Sequence, residues 1–375
     1  MLQDKPFSLM ADIASFKMSK SKQIQSSIHD YEIFFENNLD FFSHLLAISE
    51  AVFIIDKNVF ELYHNLFKQL DGQDKLIILD AIEENKTLAA SEKIFDKVIA
   101  LKPTKKTKIV SLGGGITQDV SGFVASTFYR GLNWIYVPTT LLAQADSCMG
   151  SKTSLNFKSY KNILGTFYPP HEIYICPEFT NTLSEEDFYS GMGEVVKLHA
   201  MGGSENLEKL QKTLNKLHNR DINTILESIQ SSLEIKWTYM DGDEFDQGKR
   251  NLLNYGHEFG HAIETATNYK IPHGQAVIIG MIMANFVSNQ RKILDEKLMK
   301  SIEVTCLELL KCNFKIISSI SKYEIISSMK QDKKRVGDKL PLIVLDNMFL
   351  FSKILDLTEY EAISAIEYFQ KEYCN

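Results

Sequence analysis

Apolar residues in the first half of the chain come in short runs rich in β-branched side chains. Ala51–Ile55 (AVFII), Lys75–Leu79 (KLIIL), Lys108–Ser111 and Trp134–Val137 read as strands, the last stopped by Pro138. Between them the spacing lengthens to three and four, which predicts helices over about 91–101 and 119–129. Strand, helix, strand alternation predicts a parallel sheet with crossover helices. From about Glu185 the three-and-four spacing dominates and strand signals are few. Pro170, Pro177 and the Thr182–Ser184 turn mark the change. The expected organisation is an α/β domain over 1–180 with a Rossmann-like parallel sheet, then a mostly α-helical domain over 181–375. The longest apolar run, Ala276–Phe286, is interrupted by Gly280 and Asn285 and is too short to span a bilayer.

Composition narrows the classes. With 44% hydrophobic and 24% charged residues the chain is ordinary globular material. A net charge of −7 without an extended basic block argues against nucleic acid or an anionic membrane surface as partner. The five cysteines are scattered and form no C-x-x-C pair, which fits a reducing compartment. The N-terminus carries Asp4 and Asp12 and does not read as a signal peptide, so the cytoplasm is the expected location.

Three blocks carry chemistry. In the first, Gly113-Gly114-Gly115 follows a strand and precedes a helix. Glycine lets a ligand approach the backbone, and a helix N-terminus favours phosphate. The block suits a dinucleotide pyrophosphate, although it is not the G-x-G-x-x-G fingerprint and a tight strand-to-helix turn would need no ligand. In the second, Pro138–Gln144 leads to Asp146-Ser147-Cys148-Met149-Gly150-Ser151-Lys152-Thr153, then Asn156 and Lys161-Asn162. This segment reads as a polar loop at a sheet edge, where α/β proteins place ligands.

The third block is Arg250–Glu264, followed by His273. Three of the nine histidines, His257, His261 and His273, fall here beside an Arg and carboxylates, and a metal site is the reading they favour. His257 and His261 share a face if the segment is helical. His257-Glu258-Phe259-Gly260-His261 also matches the zinc-protease pattern H-E-x-x-H, with Glu258 as general base. Flanking Gly256 and Gly260 weaken the expectation of a regular helix, and a protease would leave the first two blocks without a purpose.

Together and in order these blocks resemble the 3-dehydroquinate synthase family of sugar-phosphate cyclases. The matching stretches are GGGITQDVSGFVASTFYRG (113–131), VPTTLLAQADSCMGSKTSLN (137–156), KNILGTFYPP (161–170), TLSEEDFYSGMGEVVK (182–197), RNLLNYGHEFGHAIE (250–264), HGQAV (273–277) and DKK (332–334). The resemblance implies NAD and one divalent metal, zinc or cobalt. It assigns Glu194, His257 and His273 to the metal, which makes His261 a substrate residue. It assigns Asp56, Glu83, Lys86, Gly114, Gly115, Asp119, Thr139, Thr140, Lys161 and Thr182 to NAD. It assigns Asp146, Lys152, Asn162, Lys197, Lys236, Arg250, Asn254, His261 and Lys339 to substrate. Arg130 would reach the site of a neighbouring subunit, which implies a homodimer.

The implied reaction converts 3-deoxy-arabino-heptulosonate 7-phosphate to 3-dehydroquinate and phosphate, a shikimate-pathway step toward chorismate and the aromatic amino acids. It proceeds by transient oxidation, elimination, reduction and intramolecular aldol closure. Related cyclases take sedoheptulose 7-phosphate or glucose 6-phosphate. They lack a substrate carboxylate and tend to lose the Arg/Asn pair that this chain keeps as Arg250 and Asn254. Metal-dependent alcohol dehydrogenases share the scaffold, but the DSCMGSKTSLN segment argues against them. The chain departs from the family pattern at Gln118, at Gly193, at His199-Ala200, at Gln275, where the surroundings of His273 are expected to differ, and at Pro341.

Overall fold

The computed structural model describes residues 20–158, 160–331 and 340–374. Lys339 and the 332–334 stretch lie outside them. Along the chain the molecule divides into two compact units, between Leu183 and Ser184.

The N-terminal unit is built on a seven-stranded sheet. Its strands are β1 (Ser21–Ile24), β2 (Tyr31–Phe35), β3 (Ala51–Asp56), β4 (Leu76–Leu79), β5 (Lys108–Gly113), β6 (Trp134–Pro138) and β9 (Glu172–Ile175), in the order β1-β2-β9-β6-β5-β3-β4. β1 runs antiparallel to β2, and every other neighbouring pair is parallel. β3, β5 and β6 are buried along almost their whole length, which is why their sequences are continuous apolar runs. Helix α1 (Leu88–Ala100) and helix α2 (Gly115–Thr127) make crossovers. Phe42, packed edge-on against Phe67 and Phe179, belongs to the core with Phe53, Ile55, Val110 and Val137.

The segment expected to be a loop is structured. Ala143–Ser147 forms a wide helical turn, and β7 (Lys152–Phe157) pairs antiparallel with β8 (Tyr160–Phe167) in a hairpin. β7 buries Thr153 and Leu155 and leaves Lys152, Ser154, Asn156 and Phe157 at least partly open. Alternation with so many small polar residues resembles loop composition. The hairpin lies on α2, where a Cβ on Gly122 would strike Thr153 and where Thr166 Oγ1 donates to Ser126 Oγ at 2.9 Å.

The C-terminal unit is mostly helical: α3 (Glu185–Met201), α4 (Ser204–His218), α5 (Ile222–Met240), α6 (His257–Ala266), α7 (His273–Gln290), α8 (Glu296–Leu309), α9 (Phe314–Ser319), α10 (Lys322–Gln331) and α11 (Glu359–Tyr373). It also contains an antiparallel pair, β10 (Leu340–Leu345) and β11 (Phe351–Leu357). Helix α7 contains the long apolar run and is buried nearly all round, with α3, α6, α8 and α11 against it. At its end Arg291 grips Glu361 (Nε to Oε1, 2.6 Å) and Asp356 (Nη1 to Oδ1, 2.7 Å). Pro341 sits where the β10–β11 register shifts, a position that needs no ladder donor. Among the described residues no helix is long and apolar enough to cross a membrane.

Candidate active site

In the C-terminal unit three helices bring a carboxylate and two imidazoles together. Glu194 lies on α3, His257 opens α6 and His273 opens α7. The Nε2 atoms of His273 and His257 stand 3.1 and 3.4 Å from the same oxygen, Glu194 Oε1. Glycines permit this convergence. A Cβ on Gly274 would overlap the Ser190 carbonyl, so α3 and the start of α7 touch backbone to backbone. Gly256 precedes α6 in the left-handed region, at φ +80°, and a Cβ there would press on the Val277 carbonyl oxygen. The glycines expected to weaken α6 instead let a regular helix lie directly against α7.

Each histidine is held on its other nitrogen. His257 Nδ1 is 3.2 Å from the Tyr255 carbonyl oxygen, and His273 Nδ1 is 3.0 Å from Glu264 Oε2. Both rings therefore aim Nε2 at Glu194. Burial alone disfavours charge on Glu194, but the Lys197 ammonium, 2.5 Å from Oε2, and His257 outweigh it and hold the carboxyl well below its usual range. Burial and the same Lys197 push His257 down to about 4. His273 is penalised by burial too, yet Glu264 and Glu194 draw it up to about 10.

The donor set fits a metal ion. One oxygen and two nitrogens, all within 4.8 Å of one another, make a mixed set suited to zinc or cobalt with coordination positions to spare. A second possible group joins His261, Glu264 and His273. Among the described residues no group of three unites His257 with His261, so the protease arrangement is not built. His261 stacks near His273, with ring centroids 5.9 Å apart. Arg250 and Asn254 lie on the short helix Lys249–Asn254 just before α6. The buried Arg250 guanidinium donates to the Glu244 carbonyl, its backbone N–H donates to Asp243 Oδ2, and Asn254 Nδ2 donates to the Asn251 carbonyl at 2.8 Å. Lys236 is buried on α5.

In the N-terminal unit the candidate residues form one connected polar network. Lys86 Nζ lies 2.5 Å from Asp119 Oδ2 and donates to Asn162 Oδ1 at 2.7 Å. Ser154 donates from its backbone N to Asp119 Oδ1 (2.8 Å) and from Oγ to Asp119 Oδ2 (3.0 Å) and Asn162 Oδ1 (2.9 Å). Asn156 donates to Glu83 Oε1 at 2.8 Å, and Lys161 Nζ is 3.1 Å from the same oxygen. Burial raises the Asp119 carboxyl against the pull of Lys86 and Ser154. Burial would raise Glu83 as well, but Asn156 and Lys161 prevail and lower it.

Beside this network α2 begins at Gly115. A Cβ on Gly115 would meet nothing within 4 Å, while one on Gly114 would press on Thr140. The glycine run thus leaves the helix N-terminus accessible, as a phosphate cradle requires. Thr139 is buried and donates from its backbone N to the Gly113 carbonyl at 3.0 Å. Asp56, at the end of β3, caps the helix Lys57–Leu62 through the N–H of Asn58 (2.7 Å). Thr182 Oγ1 is 3.1 Å from the Tyr63 hydroxyl. Asp146 is half-buried in the turn Ala143–Ser147, Lys152 is exposed at the start of β7, and Arg130 is exposed after α2 with φ +67°.

Three further residues join these sites. Ser154 and Asn156 carry no signal of a partner in the sequence, and only the hairpin places them against Asp119 and Glu83. Glu264 is the third. The departures also find a structural reason. Gln118 exchanges two hydrogen bonds with Ser147 (2.8 and 2.7 Å), fastening the Ala143–Ser147 turn to α2. Gln275 does not face His273. It donates to the Tyr189 carbonyl at 2.7 Å and accepts from the Lys311 N–H at 2.6 Å, tying α7 to α3.

Comparison with known proteins identifies the family. The family profile described as 3-dehydroquinate synthase N-terminal matches residues 76–190, and the one described as 3-dehydroquinate synthase C-terminal matches 191–335. The 3-dehydroquinate synthase of Streptococcus equi subsp. equi (strain 4047) is 32% identical over 334 residues, 87% of this chain and 92% of that protein. The chain belongs to the 3-dehydroquinate synthase family. Solved structures bear the fold out. A 2-deoxy-scyllo-inosose synthase complexed with carbaglucose-6-phosphate, NAD+ and Co2+ superposes with a TM-score of 0.78 at 25% identity, covering 93% of this chain and 99% of that one. The 2-epi-5-epi-valiolone synthase of Streptomyces hygroscopicus subsp. jinggangensis 5008, with NAD+ and Zn2+ bound, gives a TM-score of 0.79 at 22% identity, covering 95% and 99%. Like the family's other members, the chain is an enzyme.

Proposed function

We propose that this enzyme converts 3-deoxy-arabino-heptulosonate 7-phosphate to 3-dehydroquinate and phosphate, in the cytoplasm and as a homodimer. The observation that carries the reading is the convergence of Glu194, His257 and His273 in a chain that matches curated 3-dehydroquinate synthases over most of its length. These three residues would hold zinc or cobalt. Gly114, Gly115, Thr139 and Thr140 would receive the NAD pyrophosphate side, with Asp56, Glu83, Lys86, Asp119, Lys161 and Thr182 around the rest. When bound, NAD would supply a reversible hydride acceptor and the metal a Lewis acid for a ring oxygen.

The chain's own residues bind and orient an anion-rich substrate. Arg250 has its backbone held by Asp243 and one guanidinium nitrogen by the Glu244 carbonyl, and the rest of its fork would take the substrate carboxylate. Asn254 adds a neutral donor beside it. Lys152, Lys197 and Lys236 supply cationic groups for the remaining oxygens, with Asp146, Asn162, His261 and Lys339 completing the substrate set. Arg130 would serve the neighbouring subunit. The C–H beside the oxidised ring carbon would become acidic, and the departing phosphate would take the proton through its own oxygen. Ring opening and intramolecular aldol closure follow.

A second reading, a cyclase for glucose 6-phosphate or sedoheptulose 7-phosphate, is favoured by the fold shared with the two solved cyclases. One assay separates the two. Purified enzyme with NAD and zinc or cobalt should release phosphate from heptulosonate 7-phosphate without net NADH. Release only from another sugar phosphate would select the second reading, and steady NADH accumulation would make the protein a dehydrogenase.

A further inference from the structure

We propose that Glu264 is a positioning residue for the metal centre, fixing the ring of His273 through Nδ1 so that Nε2 faces the ion. This rests on the reading of Glu194, His257 and His273 as ligands. The two histidines are not held alike. The acceptor for His257 Nδ1 is a backbone carbonyl, and the acceptor for His273 Nδ1 is the Glu264 carboxylate, at 3.0 Å. A metal-bound Nε2 carries no proton, so the ring's one proton must sit on Nδ1, where Glu264 accepts it. A carboxylate in that place also makes the ring a stronger donor than a carbonyl does.

The placement is built by the fold. Glu264 lies on α6, two turns beyond His257, and the chain returns to it at the start of α7. Its side chain is only 14% exposed, and His273 supplies the charge-assisted partner that so enclosed a carboxylate requires. Direct ligation alongside Glu194 is geometrically excluded for a single ion. The nitrogens of one imidazole diverge, and Glu264 sits on the Nδ1 side while Glu194 sits on the Nε2 side. A site made of His261, Glu264 and His273 is the competing arrangement.

Zinc affinity measured by chelator competition decides between them. Glu264→Ala should weaken zinc roughly 10- to 100-fold. Glu264→Gln, which still offers a neutral acceptor, should fall between Glu264→Ala and wild type. The double variant Glu264→Ala/His273→Ala should bind no more weakly than His273→Ala, and His261→Ala should stay within about threefold of wild type. The cobalt(II) absorption spectrum should shift in Glu264→Gln, a change that a purely structural role would not produce. Wild-type affinity and spectrum in Glu264→Gln would overturn the proposal, and this variant decides if Glu264→Ala fails to fold. Equal losses in His261→Ala and Glu264→Ala would overturn it in favour of the competing site. A wild-type protein that binds no zinc or cobalt would instead remove the metal reading beneath it.

Discussion

The two charged clusters of this enzyme are held in opposite ways. In the N-terminal unit the cluster draws on three segments, the turn holding Glu83 and Lys86, α2 with Asp119, and β8 with Lys161 and Asn162, and side-chain hydrogen bonds through Ser154 and Asn156 of β7 join them. In the C-terminal unit Glu194, His257 and His273 sit at helix positions fixed by backbone-to-backbone contact at glycines. The first arrangement can give way when a ligand takes over one of its hydrogen bonds. The second fixes its atoms before anything binds, as a metal site needs.

Substitutions should expose that difference. The largest effect belongs to the ligands: as purified, His273→Ala should lose most of its metal and its phosphate release, while His261→Ala should keep most of its metal, as read by elemental analysis. Next, Gly274→Ala drives a methyl into the Ser190 carbonyl and should cost about 3 kcal/mol in chemical denaturation, with metal lost in parallel. In the network, Lys86→Met takes the cation from Asp119, which is 19% exposed on its side chain and keeps only the Ser154 donors, and should cost about 2 kcal/mol. Its metal content should be normal and its NAD affinity lower. A Gly274→Ala protein as stable as wild type would remove the backbone-contact half of the comparison.

The helical unit also predicts a pH response. His199, buried on α3 with Nδ1 2.8 Å from the Val195 carbonyl oxygen, is pushed by burial from 6.5 down to about 4. The unfolded chain therefore takes up a proton near pH 6.5 that the folded chain refuses until about pH 4. This contribution is fully present above pH 6.5 and is lost as pH falls through that window, about 2 kcal/mol by pH 5. His199→Gln should flatten the stability profile over that range, and an unchanged profile would contradict the assignment.

Legibility in the sequence followed burial. β3, β5 and β6 are covered on both faces and are written as plain apolar runs. β2 and β9 alternate in burial, and β7 is half polar, so none of the three forms such a run. At the site, the spacing of His257 and His261 is visible on one helix. Glu194 comes from a distant helix, and no local spacing announces it; only the resemblance pointed there. Spacing pairs His257 with His261 and cannot see α3, which brings Glu194 Oε1 to 3.4 Å from His257 Nε2. Glu264 stayed hidden because its task depends on the turn that brings His273 back to α6. Gln275 follows His273 in the chain yet points the other way, into the contact with α3.

Anomalous diffraction at the zinc or cobalt edge, from crystals of the metal-loaded enzyme, tests the identity of the metal ligands most directly. One strong peak is expected, within bonding distance of Glu194 and of the Nε2 atoms of His257 and His273. A peak on the Nδ1 side of His273, bonded to Glu264 and His261, would contradict it.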